Sequence, residues 1–332
     1  MTGLRERARW IRSQLVQRAQ MLRGDLAVLM YHRVCPADDH AFLQRGGVPW
    51  ISPATFRAQM EFLRAHDFAV LPLDEALAKI ARRERLRPRT LAITFDDGYR
   101  DNLEHAAPVL RELELPATFF LATALLEKRR LLWEHVVMLA EERLGRAAVR
   151  ELASRAGLAL PPDREVLGTA THAASLATRE QLVAALRAAL ALPADEEREL
   201  VRALYLDADG VRALAQGALA IGSHGHAHHS YATLTEAEAV ADLEQARARL
   251  EELRLPSISK IFCSAYGGHT PREVPHLVRL GYRGALGVKL GTNGARLDPF
   301  DVRRIALGES SWHRLRFLDR AAPWNHRLHA FR

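Results

Sequence analysis

Residues 91–102 read LAITFDDGYRDN, in which a mostly apolar, strand-like run from Leu91 to Phe95 passes directly into two adjacent carboxylates, Asp96 and Asp97. An unbroken apolar run of this length marks a strand buried on both faces of a parallel sheet. Similar runs recur at 26–32 (LAVLMYH), 68–73 (FAVLPL), 117–122 (ATFFLA), 218–224 (ALAIGSH), 260–266 (KIFCSAY), 283–288 (RGALGV) and 302–307 (VRRIAL). Helical patterns lie between them. SPATFRAQMEFLRAHD offers Ser52 as N-cap with Pro53 in the first turn, and TEAEAVADLEQARARLEEL spaces Thr235 and Glu238 as a capping box. Alternation of strands with helices argues for an α/β fold, either an irregular (β/α) barrel of about seven to eight parallel strands or a doubly wound sheet.

One stretch breaks the alternation. From about Glu127 to Gln216 the chain is rich in Ala, Leu, Glu and Arg with helical periodicity, and nothing in it reads as a strand. The organisation expected is a basic amphipathic helix over 1–25, a first barrel part over 26–125, a helical insertion or cap over 126–216, a second barrel part over 217–315 and a tail over 316–332.

Composition narrows the function classes. At 48% hydrophobic and 26% charged, the 332 residues suit a globular protein, and no apolar run reaches the length of a membrane span. The N-terminus lacks the apolar core of a secretory signal, so a cytoplasmic chain is expected. Two cysteines, Cys35 and Cys263, are too few for a disulfide framework. The net charge of +7 could suggest nucleic acid, but the arginines are scattered and no nucleic-acid-binding motif accompanies them, so no nucleic-acid partner is expected. Six arginines fall in the first 24 residues among apolar positions at helical spacing. That pattern fits a helix docked on its own domain, with peripheral contact to the inner membrane surface as the alternative.

Ligands of α/β domains sit at the carboxyl ends of the strands, which is where Asp96 and Asp97 fall. Two such carboxylates repel unless they share a proton or a cation; the competing reading makes one a helix cap and the other solvated. A second strand end, AIGSHGHAHHS, carries His224, His226, His228 and His229 within six residues. Histidines four apart can aim at one ion, and His224 with His228 plus one Asp would make a two-histidine, one-carboxylate face with open positions. A solvated histidine-rich turn is the plainer alternative.

TFDDG followed by IGSHGHAH resembles the polysaccharide deacetylase family, the NodB-like carbohydrate esterase family four. LAVLMYHRV, SPATFRAQMEFLRAHDFAVLPLDEAL and DPFDVRRIAL resemble the arrangement in exopolysaccharide-associated bacterial deacetylases. The resemblance implies a NodB-homology, TIM-like barrel. It also implies hydrolysis of N-acetyl groups (O-acetyl as the lesser alternative) on a sugar or glycan substrate, by metal-activated water with an aspartate base. Carried over by position, Asp97, His224 and His228 would hold a divalent ion, Zn2+ by expectation, and Asp96 would be the base. Tyr266, in FCSAYGG, matches the segment whose backbone N–H faces the oxyanion. Here the chain departs from the pattern, with Cys263 where many members have arginine and Ala265 where proline usually stiffens the turn. Arg304 is the expected substitute for that arginine, with a surface ion pair to Asp298 or Asp301 as the alternative. His32, in MYHRV, is expected as the general acid, with a core histidine as the alternative. The departures also motivate a non-catalytic carbohydrate-binding reading, and the basic N-terminus an amide hydrolase acting on a lipid-linked sugar.

Overall fold

A computed structural model of the chain describes residues 23–127, 130–311 and 314–315. The expected tail over 316–332 lies outside them, as does all but the last three residues of the expected N-terminal helix. Ten strands follow in chain order: β1 (Ala27–Tyr31), β2 (Arg33–Val34), β3 (Trp50–Ile51), β4 (Ala69–Val70), β5 (Thr90–Phe95), β6 (Ala117–Leu121), β7 (Leu219–Ser223), β8 (Ile258–Cys263), β9 (Gly284–Leu290) and β10 (Val302–Ala306). Seven of them close in the order β1-β10-β9-β8-β7-β6-β5, with β5 pairing back to β1 and every pair parallel. β4 pairs with the start of β5 as an eighth strand, and β2 and β3 form a separate two-stranded pair. Closure excludes the doubly wound sheet. Each of the eight apolar runs overlaps one strand of the large sheet; β2 and β3, two residues each, are too short to leave a pattern.

Strand alternation splits the core into two layers. Leu29, Tyr31, Ile93, Phe95 and Phe119 face outward onto Phe56, Met60 and Leu63 of the helix Pro53–Ala65. Val28, Ala92, Phe120, Ile261, Cys263, Leu286 and Val302 come from six different strands and meet in one cluster, as only a barrel interior permits. The same parity that points Ala92 inward brings Asp96 to the interior at the carboxyl end of β5. It does likewise for His32 after β1, for Cys263 in β8 and for Arg304 in β10.

Between β6 and β7 the structure holds a short 3-10 turn and six α-helices: Trp133–Leu144, Arg146–Arg155, Val166–His172, Leu176–Leu190, Ala194–Leu204 and Ala208–Leu214. The apolar faces of the first five share a core with Tyr99 and Leu125 of the barrel loops and with Phe42 and Leu43, while Val211 and Leu214 of Ala208–Leu214 join the outward-facing layer of the barrel. The segment after Asp101 begins as a π-turn over Asn102–Ala106 before continuing as the α-helix Ala107–Glu112. The change of register falls beside Pro108, which lacks the N–H that an α-helix would direct to Glu104.

Candidate active site

The carboxyl ends of β1, β5, β7, β8 and β10 surround a cleft of about 300 Å³, whose walls include His32, Asp96, Asp97, His224, His228, Tyr266 and Arg304. All seven positions singled out in the sequence therefore meet in one place. Asp97 and Gly98 both adopt left-handed backbone (φ 74° and 82°), which turns the chain sharply enough for consecutive carboxylates to share the cleft. A Cβ on Gly98 would also sit 2.9 Å from Leu121 Cδ2, so a larger residue would have to displace that side chain as well as accept the left-handed angle.

Asp97 Oδ1 lies 3.4 Å from His224 Nε2 and 3.1 Å from His228 Nε2, and all three residues are buried. Each imidazole has its other nitrogen engaged. His224 Nδ1 donates to the Cys263 carbonyl at 2.7 Å, and His228 Nδ1 meets Glu134 Oε1 at 2.5 Å. Those contacts leave both Nε2 atoms turned toward Asp97, the positions from which neutral imidazoles would bind a metal. Charge gives the same answer. Asp96, Asp97 and Glu134 are three buried carboxylates, and Arg304 pairs with one of them. Like charges about 4 Å apart repel by about 4 kcal/mol at an effective dielectric constant near 20, so a divalent ion fits this donor set. Burial would push the His228 pKa down, yet Glu134 and Asp97 on either side raise it well above the ordinary value, again marking a position that favours positive charge.

The second carboxylate is held differently. Asp96 Oδ1 accepts from Arg304 Nη1 at 2.8 Å, and Arg304 Nε donates to the Gly287 carbonyl at 2.8 Å. Burial alone would raise the Asp96 pKa, but Arg304 and His224 more than offset it and the carboxyl titrates below its usual range. Arg304 is buried, and the surface pair at Asp301 is made instead by Lys289. Cys263 Sγ approaches Asp96 Oδ1 at 3.6 Å, from the place where an arginine is common.

His32 is half-buried at the cleft wall: desolvation lowers its pKa, with Asp97 and Asp96 pulling the other way. Its Nδ1 has no hydrogen-bond partner among the described residues, and Asn102 of the π-turn donates to its carbonyl at 2.8 Å. Tyr266 occupies a short turn after β8 with φ 56°. The turn is closed by Gly267 N–H to the Ser264 carbonyl and Gly268 N–H to the Ala265 carbonyl, neither of which uses the Tyr266 N–H. A Cβ on Gly267 would sit 2.6 Å from Val288, so close packing on β9 holds this turn where proline is missing.

Several residues at the site carry no sequence signal that would have found them. Glu134 and Trp133 begin the helix Trp133–Leu144; beside the Glu134 contact, Trp133 Nε1 donates to the His228 carbonyl at 3.0 Å. Asp242 of the helix Glu236–Glu252 accepts the N–H groups of His226 and Ala227 at 2.8 and 2.9 Å, shaping the histidine loop from behind. The two histidines not aimed at Asp97 have partners of their own: His226 meets Thr123, and His229 meets the buried Arg179, which lies over the Trp133 ring at 5.0 Å.

Comparison with known proteins places this geometry. A poly-beta-1,6-N-acetyl-D-glucosamine N-deacetylase of Staphylococcus epidermidis is 33% identical over 102 residues, 29% of this chain and 35% of that protein. Its Staphylococcus aureus namesake is 33% identical over 73 residues, 22% of this chain and 25% of that protein. The chain thus matches about a third or less of the length of these curated relatives. IcaB from Ammonifex degensii superposes with a TM-score of 0.57 at 19% identity, over 88% of this chain and 95% of that one. The Streptococcus pyogenes deacetylase PplD, solved with acetate, gives a TM-score of 0.57 at 14% identity, over 85% and 92%. At such identities the two structures establish a shared fold. The sequence model of the polysaccharide deacetylase family matches residues 83–156 and 176–285, more than half of the chain and most of the barrel mouth. The chain that sets Asp97 against His224 and His228 belongs to the polysaccharide deacetylase family.

Proposed function

We propose that the protein is a metal-dependent hydrolase that removes N-acetyl groups from a glycan built of N-acetylated amino sugars. The observation that carries this reading is the pairing of two unlike carboxylates: Asp97 between His224 and His228, and Asp96 on Arg304. Asp97, His224 and His228 would hold the ion, with Zn2+ suited to the two-histidine, one-carboxylate set. When bound, such an ion lowers the pKa of water and polarises a carbonyl oxygen.

The chain's own residues supply the rest. Asp96, kept ionised by Arg304, takes a proton from the attacking water as the new C–O bond forms. The Tyr266 N–H donates to the developing oxyanion. As the C–N bond breaks, the leaving nitrogen needs a proton, and His32 is the imidazole placed to pass it. Because desolvation keeps His32 unprotonated at neutral pH, the proton it passes to the leaving nitrogen is the one that Asp96 takes from the attacking water, which leaves both groups as they began. The products are acetate and a free amine.

Acetate release from N-acetylglucosamine oligomers by the zinc-loaded protein tests the reading. Asp96→Asn is expected to lower kcat by about 10²- to 10⁴-fold, and His32→Ala by a similar factor. A wild-type protein that binds zinc yet releases no acetate would sink the proposal, and His32→Ala within a few-fold of wild type would remove His32 from its role.

A further inference from the structure

Two strands that end at the cleft run out of step. Val302 of β10 pairs with Leu286 of β9, but Arg304, two residues on, pairs with Leu290, four residues on. β9 therefore bulges over residues 287–289. The bulge is pinned on two sides. The Gly287 carbonyl accepts from Arg304 Nε at 2.8 Å, and Val288 packs against Gly267 of the Tyr266 turn, where a Cβ would meet it at 2.6 Å. Its effect is to carry Val288 out to the cleft wall. Bulges re-aim side chains in this way and are common beside active sites.

The large apolar side chains that stand exposed among the described residues are Val288 at 50%, Leu290 at 48% and Val278 at 55%. Val278 is alone on the helix Val274–Arg279, and a single exposed valine needs no explanation. Val288 and Leu290 differ, since one walls the cleft and the other pairs in register with Arg304, which also walls it. Lys289, between them, is held by Asp301 at 2.7 Å. The cleft they border, about 300 Å³, is at the small end for ligand sites, with room for one sugar residue and not for several. A glycan with one acetamide in the cleft must therefore lay its neighbouring sugars across the rim. Pyranose rings carry hydroxyls around their edges and C–H bonds on their faces, so an apolar ledge suits such a face.

We propose that the β9 bulge is a ledge for the glycan, on which Val288 and Leu290 cover the C–H face of the sugar next to the one being deacetylated. The class of ligand rests on the deacetylase reading above, and the ledge is tested by binding. Calorimetric titrations with N-acetylglucosamine and with its tetramer, on zinc-loaded Asp96→Asn protein so that the sugar is not consumed, supply the affinities. This parent protein should bind the tetramer more tightly than the single sugar. Adding Leu290→Ser should weaken tetramer binding roughly 3- to 10-fold and leave the single sugar unchanged. Val288→Thr keeps the branched shape that rests on Gly267 and should act in the same direction, whereas Val278→Ser should bind both sugars as the parent does. Tetramer affinity unchanged in both ledge variants, or lost equally for the single sugar or in Val278→Ser, would overturn the proposal. So would a parent that binds the tetramer no better than the single sugar. A wild-type protein that releases no acetate is a different failure: it removes the deacetylase reading, while the ledge stands or falls on the affinities.

Discussion

Asp97, His228 and Tyr266 are non-glycine residues with left-handed backbone, at φ 74°, 56° and 56°, and all three line the cleft. Each such residue costs on the order of 1–3 kcal/mol, a cost tolerated where the surroundings fix it and where the geometry is needed for chemistry. The contact that fixes His228 most directly is the one with Glu134, buried on both sides. Glu134→Gln keeps the shape of the side chain but withdraws the charge that orients and enriches the imidazole. It is expected to weaken zinc binding by about 10- to 100-fold, read by competition with a chromophoric chelator. Equal affinity in variant and wild type would show that Glu134 merely fills space. The Asp96, Asp97, His224 and His228 positions were legible because strand ends and a four-residue histidine spacing are local patterns. Glu134 was not, because it stands 94 positions from His228 and looks like any acidic residue in the first turn of a helix.

At the scale of elements, β5 shows why an apolar run ending in carboxylates reads so clearly. Every residue from Thr90 to Phe95 is buried, and the strand's two polar side chains, Thr90 and Thr94, give their hydroxyl protons to the carbonyls of Arg87 and Leu29, so no charge appears until the chain leaves the sheet. Phe95 is its outward anchor, stacked on Phe119 with centroids 4.5 Å apart, on Tyr31 at 5.4 Å, and edge-on to Phe56. Removing it opens a cavity directly beneath Asp96. Phe95→Ala should therefore lose about 3–5 kcal/mol, measured as a lowered denaturant midpoint, and a loss under about 1 kcal/mol would mean that the layer repacks. The eight strands of the large sheet followed from unbroken apolar runs, and the helical character of the segment between β6 and β7 from its periodicity. What periodicity could not supply was the destination of the helices. Hydrophobic spacing says which face of Trp133–Leu144 is buried, but Trp133 and Glu134 reach His228 through a tertiary contact that no local pattern encodes. The π-turn at Asn102–Ala106 escaped for a related reason, since its periodicity differs from that of an α-helix by less than five residues can reveal.

For the whole molecule, the cluster proposed to hold the ion ties together segments far apart in the chain. Asp97 follows β5, His224 and His228 follow β7, and Glu134 reaches in from the helices between β6 and β7. An ion bound to the native cluster and not to the unfolded chain stabilises all of these segments at once. At a free concentration about 1,000 times Kd the linkage contributes about 4 kcal/mol. For a chain of this size that corresponds to a rise in Tm of about 5–10 °C. Zinc added to EDTA-treated protein should produce that rise in a thermal melt, and a second addition of EDTA should reverse it. The same titration on Asp97→Asn should show little or no shift, because the anionic ligand that faces both imidazoles is gone. A shift of full size in Asp97→Asn would place the stabilising ion elsewhere in the molecule and separate the cluster from the fold's response to metal.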